Sequence, residues 1–174
     1  MMGSVPTKED GYMDLRGDFK LGMRRLASGV SIVATSDNEG AKGFLATSVS
    51  SVALDPAPCL LVCVNRSTSS HDAFIQTQVF SINVLAERQV DVAHRFSSPE
   101  WRDARFEDGA WEVLETGAPV YRDALASFDC RLMTTMTVQT HTVLIGRAVA
   151  VRSAKMAAEP LIYYDGCFDR NRAA

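Results

Sequence analysis

Every apolar run in this chain is of strand length, and several are separated from the next by no more than a turn. That alternation constrains the fold more than any other feature, because short consecutive strands joined by tight turns pair antiparallel. Residues 30–35 are apolar and β-branched, 36–42 contain the turn cluster Asp37-Asn38-Glu39-Gly40, and 43–52 read as the returning strand. After Pro56 and Pro58, the six apolar residues 59–64 suit a strand buried on both faces. In 79–85, Phe80, Ile82 and Val84 alternate with Ser81 and Asn83, the period of a half-buried strand. Residues 125–135 and 141–152 form two long strands at hairpin spacing, with Val143, Ile145, Val149 and Val151 on one face of the second. Residues 160–164 read as one more short strand.

Helical spacing interrupts this pattern three times. Leu15, Phe19, Met23 and Leu26 make an apolar stripe for a helix reaching about Ser28, with Gly29 at the left-handed position that ends many helices. Ala73, Phe74 and Thr77 allow a short second helix, and Val90, Ala93 and Phe96 mark one face of a third within 87–97. Residues 98–116 are irregular, and their Trp101, Phe106 and Trp111 read as a satellite core under a long loop. Residues 1–13 lack periodicity and read as a loose arm. Residues 14–174 then make one domain, mainly β with inserted helices, curled into a closed or partly closed antiparallel barrel.

Charge and cysteine usage exclude several classes. Eighteen Lys and Arg against 21 Asp and Glu leave a net charge of −3 with no basic stripe, so a nucleic-acid partner is not expected. No apolar run approaches the ~20 residues of a membrane span, and the first thirty residues hold no signal-like core. Cys59, Cys63, Cys130 and Cys167 form no C-x-x-C, and with only three histidines no metal spacing can be assembled. Buried, reduced thiols and a cytoplasmic location are the expectation.

Three groups of residues are candidates for chemistry. Asn65-Arg66-Ser67-Thr68-Ser69-Ser70 lies between a strand and a helix start, and offers a guanidinium and several hydroxyls to an anion. The alternative is that Ser69 or Ser70 only caps the helix and Arg66 is solvated. Thr47-Ser48-Val49-Ser50-Ser51 is a run of hydroxyls that either edges a planar heterocycle or is an ordinary half-exposed strand. His141 opens the last long strand beside the neutral Thr140 and Thr142, while His71 sits near the candidate anion loop and His94 falls on a polar helix face. The glycine signatures of dinucleotide and P-loop sites and the G-x-S-x-G and H-E-x-x-H motifs are all missing from the sequence.

Taken in order, several segments resemble the flavin reductase-like family. They are Phe19 with Arg24 and the run Leu26-Ala27-Ser28-Gly29-Val30-Ser31-Ile32-Val33-Ala34-Thr35; Gly43 with Thr47-Ser48-Val49-Ser50-Ser51-Val52 and Pro56; and Val64-Asn65-Arg66-Ser67. Phe80 with Ile82-Asn83-Val84-Leu85, Ala93 with Phe96, and His141 with Gly146 complete the set, which spans about residues 14–164. These are the short NAD(P)H-dependent reductase partners of two-component flavin monooxygenases, such as the reductase component of 4-hydroxyphenylacetate 3-monooxygenase.

The resemblance implies a Greek-key split β-barrel acting as a homodimer, with FMN or FAD bound near the subunit interface and NADH or NADPH as hydride donor. It places Ala46, Thr47, Ser48 and Val49 along the flavin ring, and Asn65, Arg66, Ser67, Ser69 and Ser70 at the ribityl and phosphate. Phe96 and Ser97 match a second stretch near the flavin, and His141 matches a histidine on the nicotinamide side. Three positions depart from the family pattern: Leu45 stands where many members have Thr, Ala53 where many have Ser, and Thr140 where Asp often precedes the histidine. The implied activity is flavin reduction in support of a monooxygenase. A corrinoid reductase, a non-catalytic flavin-binding barrel and a pyridoxamine-phosphate oxidase-like enzyme are the alternatives.

Overall fold

The computed structural model describes residues 14–155 and 158–169. The expected arm at 1–13 therefore lies outside the described residues. In chain order the elements are α1 (Leu15–Met23), β1 (Ser28–Gly29), β2 (Ser31–Asp37), β3 (Gly40–Ala46), β4 (Ser50–Ala53), β5 (Cys59–Asn65), α2 (His71–Thr77) and β6 (Val79–Val84). They continue with α3 (Val90–Ser97), β7 (Trp111–Val113), β8 (Pro119–Tyr121), β9 (Ala126–Val138), β10 (His141–Ser153), β11 (Ile162–Tyr164) and β12 (Cys167–Asp169). Among the described residues no helix is long and apolar enough to cross a membrane.

Seven strands form one antiparallel sheet in the order β3-β2-β6-β9-β10-β5-β4. β3 and β4 are its two edges, so hydrogen bonding does not close it. Side chains from one face, Val33, Phe80, Ile82, Cys130, Leu144, Leu60, Val62 and Val64, gather around Phe74 of α2 in a first core. A second core takes the alternate residues of β2, Ile32 and Ala34, with Leu85, Ala93, Phe96 and Leu161. β2 is thus buried on both faces.

Four local expectations are corrected. α1 ends at Met23, and Gly29 is extended, because Ser28 and Gly29 pair with Tyr163 and Ile162 instead of capping a helix. The expected strand over 43–52 breaks at 47–49, where the chain leaves one edge of the sheet for the other. β5 is buried on one side only: Leu60, Val62 and Val64 are buried while Cys59, Leu61 and Cys63 are half-buried. β6 differs in the opposite sense, since Ser81 and Asn83 are fully buried under β8. There the Ser81 hydroxyl donates to the Pro119 carbonyl, and the Tyr121 N–H donates to Asn83 Oδ1 at 2.9 Å.

Phe106 and Trp111 do form the satellite core, with ring centroids 4.7 Å apart and Phe96 5.2 Å from Phe106. Trp101 does not join them and is half exposed. The thiols are all free, with Cys130 buried, Cys59 and Cys63 half-buried, and Cys167 exposed against expectation. Burial, helped by the charge of Asp129, pushes the Cys130 thiol up to about 12, which leaves it inert.

Gly146 sits where the β9–β10 register shifts, and the ring of Phe80 lies directly over it. A Cβ there would meet Phe80 Cζ and would lie 2.7 Å from Phe80 Cε1 and 3.1 Å from Cys130 Cβ. Gly146→Ala should therefore destabilise the fold by about 1–3 kcal/mol, the usual cost of overpacking. At ~2–4 °C per kcal/mol, a thermal melt should show a fall of about 2–12 °C, and an unchanged melt would refute the contact.

Candidate functional site

The sheet's two edges generate the site. Where β3 gives out at Ala46, the next residues find no strand partner, and the Ser48 side chain takes over. Its Oγ accepts from the Cys63 N–H at 3.2 Å and donates to the Cys63 carbonyl at 3.3 Å, stitching the crossover to β5. Beside this seam lies an open cavity of about 860 Å³, with Ala46, Thr47 and Ser48 along one side. That is within the ~300–1,000 Å³ typical of small-molecule sites.

The loop after β5 forms the next wall. Asn65 Oδ1 accepts from the Ser67 N–H at 3.0 Å and the Ser67 hydroxyl at 2.9 Å, so one side chain folds the turn on itself. The Arg66 N–H donates to the Thr140 carbonyl at 2.9 Å, tying the loop to the β9–β10 turn. His71 adds a second tie: its Nε2 lies 2.9 Å from Thr142 Oγ1 and its Nδ1 2.8 Å from Asp72 Oδ1. Asn65, Ser67, Thr68 and Ser69 line the cavity, but Arg66 does not. Arg66 instead lines an adjoining cavity of about 540 Å³, which shares Asn65 and Ser67 with the main one and is completed by His71, Asp72, Gln139 and Thr140. Ser70 holds the N-cap position of α2 without capping it, and its buried hydroxyl has no partner among the described residues.

His141 pairs in register with Asn65 across β10–β5, which brings its ring to the same cavity. Its Nδ1 lies 3.0 Å from Thr140 Oγ1, and no carboxylate lines the cavity among the described residues. The far wall comes from α3 and the last hairpin. Phe96 and Ser97 line it as expected, Phe96 showing only an edge of a ring otherwise buried in the second core.

Val49 is absent from the lining and packs against the first core. Several lining residues were not anticipated: His94, Tyr163, Phe168, Arg102 and Arg105. His94 stands three residues before Ser97 on one helix face, and its ring meets Phe168 edge-on at 5.0 Å. Tyr163 and Phe168 arrive on a hairpin whose turn, Asp165-Gly166, has positive φ at both residues (50° and 86°). Asp-Gly is the sequence signal for such a turn and would have located this wall. Arg105 donates to the Gly43 carbonyl at 3.0 Å and the Ser98 carbonyl at 3.1 Å. Burial lowers its pKa, and the neighbouring Arg102 lowers it further.

In all, the cavity joins unpaired strand ends, hydroxyls, two imidazoles, two guanidiniums and aromatic edges. It suits an extended ligand with a planar polar ring and an anionic tail, and no nucleophile–base pair or metal cluster is present among its described residues.

The chain is similar to several known proteins. The chain is 41% identical over 150 residues to the FMN reductase (NADH) RutF of Variovorax paradoxus, covering 86% of this chain and 82% of that one. Its fold matches nitrilotriacetate monooxygenase component B from Mycobacterium thermoresistibile with a TM-score of 0.83 at 26% identity, over 88% of this chain and 85% of the other. It also matches BorF, the flavin reductase component of a bacterial two-component tryptophan halogenase, with a TM-score of 0.81 at 29% identity, over 88% and 96% of the two chains. Residues 23–172 fit the model of the flavin reductase like domain, so seam, loop and hairpin all fall within the match, and the chain belongs to that family.

Proposed function

We propose that the chain is an NADH-dependent flavin reductase that takes FMN and supplies reduced flavin to a partner oxygenase. The observation that carries this reading is the carboxylate-free cavity at the sheet's seam, bounded by Thr47 and Ser48 on one side and the Asn65–Ser69 turn on the next. The relative at 41% identity is named for FMN and NADH, and the structural neighbours for reductase components of two-component systems. When nicotinamide and flavin are bound together, the hydride transfer from one ring to the other is chemistry that they supply.

The protein's own residues bind, orient and exclude water. Ala46, Thr47 and Ser48 offer strand-end groups to the edge of the ring, and Val49 anchors that segment in the core. Asn65, Ser67, Ser69 and Ser70 serve the ribityl and phosphate end, and Arg66, on the other side of the turn, adds its charge from a distance. Phe96 and Ser97 border the ring from α3, and His141 faces the nicotinamide. The finer description of the fold, a split barrel, belongs to the same reading: β3 and β4, the two edges of the sheet, are joined by only three residues. Free thiols fit a cytoplasmic location.

A homodimer is also part of the proposal. Exposed apolar side chains offer a surface for it on α1, at Leu15, Phe19, Leu21 and Met23, on Leu26 just beyond it, and on β9 at Met133 and Met136. Light scattering at micromolar concentration should give twice the protomer's mass, and a flavin-binding monomer would refute the shared surface.

Activity is tested directly by NADH oxidation with added FMN: turnover is expected, and flavin binding without turnover would reduce the protein to a binding module. His141→Asn separates positioning from acid catalysis. With only Thr140 beside the ring, the variant should raise the KM for NADH or slow turnover by less than about tenfold, with flavin affinity unchanged. A loss of ~10²–10⁴-fold with one limb of the pH profile gone would instead make His141 a general acid.

A further inference from the structure

The walls of the cavity are not equally anchored. The seam, the 65–70 turn and α3 are tied to the main sheet or packed into its cores. Tyr163 and Phe168, by contrast, ride on β11–β12, whose outside partner among the described strands is only the two-residue β1, at Ser28↔Tyr163 and Gly29↔Ile162. The root of this hairpin is firm. Leu161 is fully buried, its N–H donates to the Leu85 carbonyl at 2.9 Å, and its carbonyl accepts from the Val30 N–H at 3.0 Å. Beyond the root, residues 163–167 are all exposed, and Phe168 is the side chain that packs against the second core. A segment with few buried apolar contacts and exposed backbone hydrogen bonds lies at the low end of local stability.

The free end is held by a latch at its turn. Arg24 Nε lies 3.3 Å from Asp165 Oδ1, and Arg24 Nη2 donates to the Asp165 carbonyl at 2.8 Å. A Cβ on Gly166 would come within 2.5 Å of Arg24 Nη2, so the guanidinium lies directly on the turn. Beside it, a hydrogen bond with Tyr164 and the charge of Asp165 raise the Arg25 pKa above its ordinary value. The latch is ionic and wet, since the Arg24 and Asp165 side chains are 52% and 49% exposed. Exposed ion pairs of this kind are weak and are screened by salt. Toward the cavity, the Phe168 ring meets His94 at 5.0 Å and Tyr163 at 5.5 Å between centroids. The hairpin is thus rooted in the core at one end and held by a salt-sensitive pair at the other, with two aromatic rings between them on the cavity wall.

We propose that the hairpin 162–169 is a movable wall that turns about residues 160–161, is latched by Arg24 on Asp165, and closes Tyr163 and Phe168 onto a planar ligand once one is seated. Its role in the reaction rests on the flavin reading above: the wall sets how long a flavin stays. Release of the latch leaves Leu161 and both cores in place, so the hairpin opens without unfolding the sheet. A ligand meets the open trough on arrival and the closed wall on departure. The latch therefore acts on the dissociation rate more than on the association rate.

Hydrogen exchange followed by mass spectrometry on the free protein should show residues 162–169 exchanging faster than β2 and β9–β10. Asp165→Asn and Arg24→Gln should each speed exchange in that hairpin by about two- to fivefold and leave β2 unchanged. Salt at about 0.5 M should do the same to the parent protein and nothing further to either variant. Saturating FMN should slow exchange at 162–169. In stopped-flow fluorescence the variants should release FMN about two- to fivefold faster, with an association rate within about twofold of the parent's. Exchange at 162–169 as slow as in the main sheet, indifference to both salt and the two variants, or a rise spread over the whole sheet with a lower melting temperature would overturn the movable wall. Unaltered exchange there at saturating FMN, or an unaltered release rate in both variants, would overturn its closure on the ligand. If FMN does not bind at all, the flavin reading falls, while the salt and latch dependence of exchange still decides whether the hairpin moves.

Discussion

The structure depends on a hydrogen-bond ladder that stops before the sheet comes full circle. Seven antiparallel strands form one sheet, yet β3 and β4 remain edges joined by residues 47–49. An exposed edge is ordinarily a liability, because its unpaired groups invite another strand. Here one hydroxyl, that of Ser48, bridges to both backbone groups of Cys63 and fixes the gap at side-chain width. The groups left over at the end of β3 are therefore held in place and facing an open cavity. A closed ladder would have consumed them.

The rest of the fold serves that gap from behind. β2 is buried on both faces, so Val33 and its neighbours Ile32 and Ala34 feed different cores, and the wall carrying the site has no solvent side on which to relax. Gly43 is what lets the second core approach. A Cβ there would lie 2.8 Å from the Val33 carbonyl oxygen, 3.1 Å from Phe106 Cζ and 3.2 Å from Phe96 Cε1. Phe96 can consequently pack beneath the strand and still show an edge to the cavity. Such packing leaves few alternative arrangements, which is how a site made largely of small hydroxyls acquires a fixed shape.

The strands and the 65–70 turn were legible because their signals are local: alternation in 79–84, hairpin spacing between β9 and β10, and an Asn followed by hydroxyls. The break at 47–49 was not, since the run stays β-prone throughout and only the sheet's curvature decides where it must leave the edge. Ser81 and Asn83 looked solvent-facing because their cover, β8, is contributed by residues some forty positions away. The 65–70 turn borders the cavity, but Arg66 does not line it, while Arg102 from another segment does. A turn's sequence does not say to which side a guanidinium projects, and Arg102 belongs to an irregular stretch whose path no periodicity specifies. His94 was placed on a polar face, which it does occupy; that this face fronts the cavity is a tertiary fact.

The last hairpin is fastened to the far end of the described chain. Arg24 Nε lies 3.3 Å from Asp165 Oδ1, Arg24 Nη2 donates to the Asp165 carbonyl at 2.8 Å, and the Asp165 N–H donates to the Arg24 carbonyl at 3.0 Å. Tyr163 and Phe168, which this clasp holds against His94, come after every other wall of the cavity in sequence. In synthesis from the N-terminus, the seam, the loop and α3 can all assemble while the aromatic wall is still unmade. A ribosome-bound chain thus presents a trough open along one flank, and the cavity gains its last wall only when residues 162–169 emerge and find Arg24.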